Sequence, residues 1–443
     1  MNIQLSDHFT FGRLLRFTFP SIGMMIFTSL YSVVDGFFVS NFAGKTSFAA
    51  VNLIIPVLMI SSSLGFMIGA GGSALVAMLF GAGKKEKANQ VFSLLVFMNI
   101  ILGIIITILA FLLMEKIVIR FGAEGKLLED AVLYGRIVIS CCTMYMLQSS
   151  FQTFLIVAEK PKMGLFLTVS AGLTNMILDA VFVGVFKWGL VGAAVATGIS
   201  QIVGGAIPLV YFLCPNKTSL KIGKFVWNGK AILKTFSNGS SELVSNIAMS
   251  VVSILYNLQL LKIAGENGIA TYGVLMYVNF IFISLILGYG IGRSPIVSYH
   301  YGAENTAELK NLFKKDVILI FASGIILFLI AEFFGPSFAR IFTGGDSELF
   351  AMSKNAFFIF SFVYFFVGFS ILGSSFFTAL NNGLISALIS FLRTLVFQAT
   401  AISILPIFLG LNGIWLSEVV AEIASFGVTV LCMILCRKRY GYL

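Results

Sequence analysis

Two carboxylates, Asp35 in SLYSVVDGFFVSNFAG and Asp179 in NMILDAVFVGV, stand in almost unbroken apolar runs. An acid inside such a run costs roughly 2.5–3.5 kcal/mol on membrane-insertion scales, so its presence calls for a reason. Asn175 precedes Asp179 by four residues, which puts both on one helical face, one turn apart. Asp35 comes nine residues before Gly44, Asp179 eight before Lys187, and Thr197 eight after Gly189. At about 1.5 Å per helical residue, all three fall about 12–14 Å below the same outer boundary. Carboxylate, amide and hydroxyl oxygens at one level suit a hard cation, and a carboxylic acid walled by hydrocarbon suits a transferable proton. The spacing leaves both chemistries open.

The elements that must hold these groups are membrane helices. Of the 443 residues, 58% are hydrophobic and only 11% charged, and the mean hydropathy is +0.99. No water-soluble globule has that balance. A crossing needs about 20 mostly apolar residues. Apolar runs bounded by charged or Gly/Asn/Pro punctuation predict twelve, at 14–41, 49–80, 89–114, 131–158, 163–184, 190–213, 231–264, 268–300, 312–334, 348–380, 384–409 and 414–436. The polar stretch 216–230 is expected to link an N-terminal lobe, 1–215, to a C-terminal lobe, 231–443.

A shift of 221 residues aligns GAGGSALVAMLFGAG (Gly69 to Gly83) on GIGRSPIVSYHYGAE (Gly290 to Glu304) without a gap. The same shift pairs Ala43-Gly44 with Ala264-Gly265, and Gly189-Leu190 with Gly410-Leu411. One shift serving three regions marks an internal repeat. Because it spans six helices, the repeats share one topology about an axis along the membrane normal. The expected fold is therefore all-α: a polytopic membrane protein with twelve transmembrane helices in two pseudo-symmetric six-helix lobes.

The net charge of +10 raises the question of nucleic acid, and its distribution answers it. Alternate loops hold 18 of the 29 Lys and Arg, from Arg13 and Arg16 through Lys84–Lys87 to Arg437–Arg439; the opposite loops hold nine, diluted by acids. By the positive-inside rule both termini are expected in the cytoplasm, in a cell membrane crossed many times. The five cysteines read as small core residues, with Cys214 near a loop. The N-terminus lacks a short apolar core with a small-residue cleavage site, so the first run is read as a mature helix. Glycines between Gly65 and Gly83 lack a phosphate-loop lysine and are expected to serve close helix packing. His8 and His300 are the two histidines and have no metal-binding or catalytic spacing. No cofactor, no metal beyond sodium and no enzymatic activity are expected.

Four features together resemble the multidrug and toxic compound extrusion (MATE) family over essentially the whole chain. They are Pro20, Tyr31 and VVDGFFVSNFAG in the first helix; the duplicated FGAG/YGAE turn; NMILD in helix five; and GLVGAAVATG in helix six. The resemblance implies two six-helix lobes around a central cavity, with export driven by inward flow of protons or sodium ions. It also implies that Asp35, Asn175, Asp179 and Thr197 form the cation site, and that Pro20 permits helix one to bend. The second half departs from this pattern: Tyr256 stands for Asp35, Glu418 for Thr197, and Gln398 near the counterpart of Asp179. The coupling site is thus expected in the first lobe alone.

Tyr31, Gln152, Gln201 and Glu242 are candidate substrate contacts, since adaptable polar and aromatic groups suit varied ligands. Arg393 needs a partner, Glu418 or Glu422, and Arg293 is expected to snorkel to the membrane surface. The leading expectation is a cation-coupled exporter of amphipathic, cationic small molecules, acting as a monomer in the lipid bilayer. A flippase or exporter of lipid-linked or endogenous metabolites is the alternative, and it would need a basic cavity where this chain offers an acidic one.

Overall fold

The computed structural model describes residues 3–39, 45–343 and 346–443, which hold helices and connections and no strand. The Ala43-Gly44 turn lies outside them. In lipid every backbone polar group must be satisfied within its own segment, so apolar runs of this length can only be helices. The first lobe contains α1 (Phe11–Phe38), α2 (Lys45–Gly81), α3 (Lys85–Arg120), α4 (125–157), α5 (161–185) and α6 (Gly189–Leu213). The second contains α7 (229–264), α8 (266–302), α9 (Thr306–Thr343), α10 (347–379), α11 (383–409) and α12 (411–440). Residues 214–228 between them are non-helical. Several helices outrun the apolar windows, α3 and α9 most clearly. Hydropathy marks only the hydrocarbon layer, whereas backbone hydrogen bonding continues into the interface.

Helix continuity is broken where the sequence placed glycine. The helical run from Gly229 to Gly302 is 74 residues long, far beyond a bilayer, and turns at Gly265, whose φ is 59°. Past that turn Tyr272 stacks on Tyr256 with ring centroids 5.1 Å apart, so α7 and α8 are antiparallel. Gly410, with φ 55°, turns α11 into α12 in the same way. Only glycine enters this left-handed region without a Cβ penalty. By contrast α4 bends by 52° at Cys141 with neither Gly nor Pro. There the Ser140 hydroxyl donates to the Arg136 carbonyl at 2.7 Å, a back-bond that bends helices.

The lobes meet through the repeated glycines. A Cβ on Gly81 would lie 1.9 Å from the Tyr299 carbonyl oxygen, and one on Gly302 would lie 2.0 Å from that of Met78. These two contacts are images of each other under the 221-residue shift, so the pseudo-two-fold axis passes between α2 and α8. Asn238 donates to the Thr378 carbonyl at 2.9 Å and, at 3.5 Å, to that of Gly71 in the other lobe. Gly288 and Gly292 pack against Ser21 and Ile22 of α1, immediately beside Pro20. All these inter-lobe contacts fall on the half of the bundle that carries both termini.

On that face the N-terminal segment joins the lobes. The Leu5 amide donates to Glu159 of the first lobe at 2.8 Å, while the Phe9 amide and His8 hold Glu308 of the second at 2.9 and 2.6 Å. Burial tends to favour the neutral form of Glu159, and the Leu5 amide opposes it. Arg293 does not snorkel. It is wholly buried, bonded to Asp316 at 2.6 Å and to Ser375 at 3.1 Å, and lies over the Phe376 ring. Tyr289 donates to the other Asp316 oxygen at 2.5 Å. The hydropathy profile hid this pair because its members sit in different helices, 23 residues apart.

Two stability outcomes follow from these contacts. Asp316→Ala leaves Arg293 buried and unpaired, which costs about 3–5 kcal/mol and is read as a fall in melting temperature of the purified protein. Gly81→Ala and Gly302→Ala each force backbone apart at the same interface, at about 1–3 kcal/mol, and the two melting shifts should match.

Candidate cation site

The terminal-distal half of the first lobe holds the acidic cluster. Asp35 sits near the end of α1, and α5 carries Asn175 and Asp179 one turn apart, directly before the helix widens into a π turn at Ala180–Val185. Such widened turns are frequent at functional sites. Thr197 lies on α6. The structure brings all four together: the Asp35 carboxyl stands beside Asp179 and Asn175, and the Asn175 amide donates to the Thr197 hydroxyl at 3.5 Å. Asn175 is 2% exposed and Asp179 not at all. Around them lies an apolar cluster that includes Val39, Ile54, Val138, Val183 and Leu190.

The electrostatics of the cluster are one-sided. Both Asp179 oxygens, one of Asp35 and the Asn175 carbonyl are buried with no hydrogen-bond donor. Two adjacent carboxylates offer each other only acceptors. A buried ionised acid without a donor or counter-ion is among the most expensive arrangements in a protein interior. What completes the site is positive charge: a proton shared between the acids, or a small cation with carboxylate, amide and hydroxyl oxygens around it. A sodium ion would find Asp35, Asn175, Asp179 and Thr197 as its oxygen donors.

Tyr134 of α4 belongs to the same cluster and was not among the sequence candidates. Its buried phenol lies against Thr197 and close to both acids. The depth count that selects Asp35 finds it too, because Tyr134 is nine residues into the helix that begins at Gly125. Sequence gave no reason to count from that end of that helix.

The remaining candidates are not gathered here as one substrate site. Tyr31, one turn before Asp35, packs its ring with Phe27 and beside Gly172 of α5. Gln152 donates to Thr168 across the α4–α5 contact at 3.4 Å. Gln201, one turn beyond Thr197, has a buried carbonyl with no donor. Glu242 is on α7 of the other lobe, half-buried, where its backbone carbonyl accepts from Asn246 at 2.8 Å. Arg393 pairs with Glu422 at 2.7 Å. Pro20 lies within α1 and withholds the amide that the Arg16 carbonyl would accept.

A family model described as MatE matches residues 20–181 and again 243–401. The chain belongs to the MatE family. Its two matched segments repeat at nearly the interval of the internal shift. Members of this family are secondary transporters, so the chain is a transporter and not an enzyme. It is 24% identical over 347 residues to the multidrug export protein MepA of Staphylococcus saprophyticus, covering 78% of this chain and 74% of that protein. MepA of Staphylococcus aureus strain MRSA252 is 23% identical, covering 75% of this chain and 74% of its own.

Among solved structures, a MATE protein in complex with MaL6 superposes with TM-score 0.93 at 24% identity, over 97% of each chain. An outward-facing multidrug resistance MATE transporter gives 0.91 at 24%, over 97% of this chain and 96% of that one. A transporter from Pyrococcus furiosus described as having a binding pocket of reverse polarity gives 0.90 at 24%, over 96% of both. The twelve-helix fold of this MATE protein follows from these likenesses.

Tyr134→Phe removes a buried hydroxyl from the cluster and keeps the ring. The hydroxyl lies against Thr197, and a lost neutral hydrogen bond is worth about 0.5–1.5 kcal/mol, so the melting temperature of the purified protein should fall, and by less than in Asp316→Ala.

Proposed function

We propose that this MATE protein is a cation-coupled antiporter that exports amphipathic, cationic compounds in exchange for inward-moving protons or sodium ions. The observation that carries the reading is the set of buried acceptor oxygens at Asp35, Asn175 and Asp179 with no donor of their own. An incoming cation neutralises this set, weakens its attraction for a cationic substrate, and removes the charge that resists rearrangement of α1. Reciprocity requires that substrate and ion weaken each other's binding by the same factor. Pro20 supplies the weak point in α1, at the level where Gly288 and Gly292 of the other lobe press on it. The relatives' description as multidrug export proteins agrees with this direction of transport.

The basic loops lie on the face that bears both termini, which supports a cytoplasmic location for the termini in the cell membrane. The inter-lobe glycine contacts then close the cytoplasmic side, and the acid cluster lies in the extracellular half. Tyr31, Gln152, Gln201 and, in the other lobe, Glu242 remain proposed substrate contacts, and the chain is proposed to act as a monomer. A transporter of the same fold is described as having reversed pocket polarity, so the fold alone does not choose the substrate's charge. The uncompensated acids of this chain favour a cation over the anionic lipid-linked cargo of a flippase.

In inverted vesicles with proton and sodium gradients imposed separately, one gradient should drive accumulation of a cationic dye. Asp35→Asn and Asp179→Asn should each reduce that gradient-driven component by about 5- to 150-fold, the usual span of a coupling energy. Unchanged accumulation in either variant overturns the exchange scheme.

A further inference from the structure

The second lobe carries an acid–hydroxyl pair of its own, with the partners exchanged between helices. Under the 221-residue shift Asp35 of α1 corresponds to Tyr256 of α7, and Thr197 of α6 to Glu418 of α12. The two sites lie at equal depth: Tyr256 is nine residues before the Gly265 turn, and Glu418 eight after the Gly410 turn. Where the first lobe has an acid on its first helix and a hydroxyl on its sixth, the second has the hydroxyl first and the acid last.

Glu418 is half-buried. Glu422, one turn on, is fully buried, and Arg393 of α11 reaches it at 2.7 Å from within a π turn at Leu392–Phe397. Tyr256, Tyr272 and Tyr364, on the other helices, lie near enough to Glu418 for their phenols to feel its charge. Tyr364 is committed to Asn279 at 3.3 Å. Tyr256 is 2% exposed, and its hydroxyl has no partner. The second oxygen of Glu422 has none either.

Charge counting distinguishes this cluster from the first. Two carboxyls share one guanidinium, and the guanidinium is bonded to Glu422, so Glu418 is the acid left uncompensated. A proton restores the balance without needing space, and the stack of Tyr256 on Tyr272 leaves little. Phenol donors together with a seated guanidinium disfavour a metal cation, which needs acceptors. The first lobe, with orphan acceptors and no basic side chain in its acid cluster, leaves proton and sodium both open.

We propose that Glu418 is a second ion-binding site of the transporter, specific for a proton and independent of the Asp35–Asp179 cluster, with Tyr256 donating its hydroxyl to the acid. It goes beyond the first-lobe exchange reading, which assigns the second lobe no ion. Proton loading at Glu418 removes one negative charge from the α7–α12 contact, and proton release restores it.

The test is infrared titration of the full-length protein in liposomes, following the carboxylic-acid C=O bands with pH, in sodium and in choline media. Glu418→Gln should lose one band that the Asp35→Asn/Asp179→Asn double variant keeps, and sodium should leave that band in place. Tyr256→Phe, which preserves the ring stack, should shift the same band in frequency and leave the first-lobe bands unmoved. It serves as the reading if Glu418→Gln does not fold. Spectra of Glu418→Gln identical to wild type, loss of the band in the double variant, displacement of the band by sodium, or no shift in Tyr256→Phe would each overturn the proposal. The readout is titration and not transport, so its failure leaves the first-lobe scheme standing, and failure of dye export leaves this titration unaffected.

Discussion

The structure is organised around a shortage of positive charge in a medium that cannot screen it. Asp35 and Asp179 are side by side among apolar side chains, with an amide carbonyl added to the acceptors and no donor facing either Asp179 oxygen. In water such a pair would be a minor repulsion; in a hydrocarbon-walled bundle it is an instability that only an ion or proton relieves. A site built this way couples to anything that changes its charge or its distance between helices. In the exchange scheme proposed above, the three helices that supply it, α1, α5 and α6, are the ones whose relative position an ion would control.

The frame that holds the acids is symmetric where packing decides and asymmetric where chemistry decides. Gly81 against Tyr299 and Gly302 against Met78 repeat one contact, because only a bare backbone allows α2 and α8 to approach so closely. The turns at Gly189 and Gly410 likewise share nearly the same φ, 54° and 55°. Side chains at matching depths differ instead: Asp35 and Thr197 in one lobe, Tyr256 and Glu418 in the other. Duplicated helices keep the interfaces that make the fold, and the polar residues between them are free to diverge because few packing contacts depend on them.

Electrostatics at the terminus-bearing face have the opposite character. There Arg293 with Asp316, and Glu308 with His8 and the Phe9 amide, are charges whose partners are already present. Satisfied pairs of this kind hold helices at fixed positions. The bundle thus has a face stabilised by complete pairs and a half whose acids are incomplete, and Pro20 of α1 lies between the two.

Much of this was legible in the sequence. Membrane residence, the twelve helices, the repeat and the depth of Asp35, Asp179 and Thr197 follow from hydropathy, period and residue counting, because bilayer thickness and helical rise are fixed lengths. The spacing of Asn175 and Asp179 set their shared face for the same reason. Partnership between helices was not legible. Arg293 read as a surface cation until α9 brought Asp316 to it, Arg393 had two acids to choose from until α12 presented Glu422, and Tyr134 carried no mark of its place beside Asp35. Those pairings depend on how each helix is rotated about its own axis, which is set by side-chain packing summed over the whole bundle and is written in no local pattern.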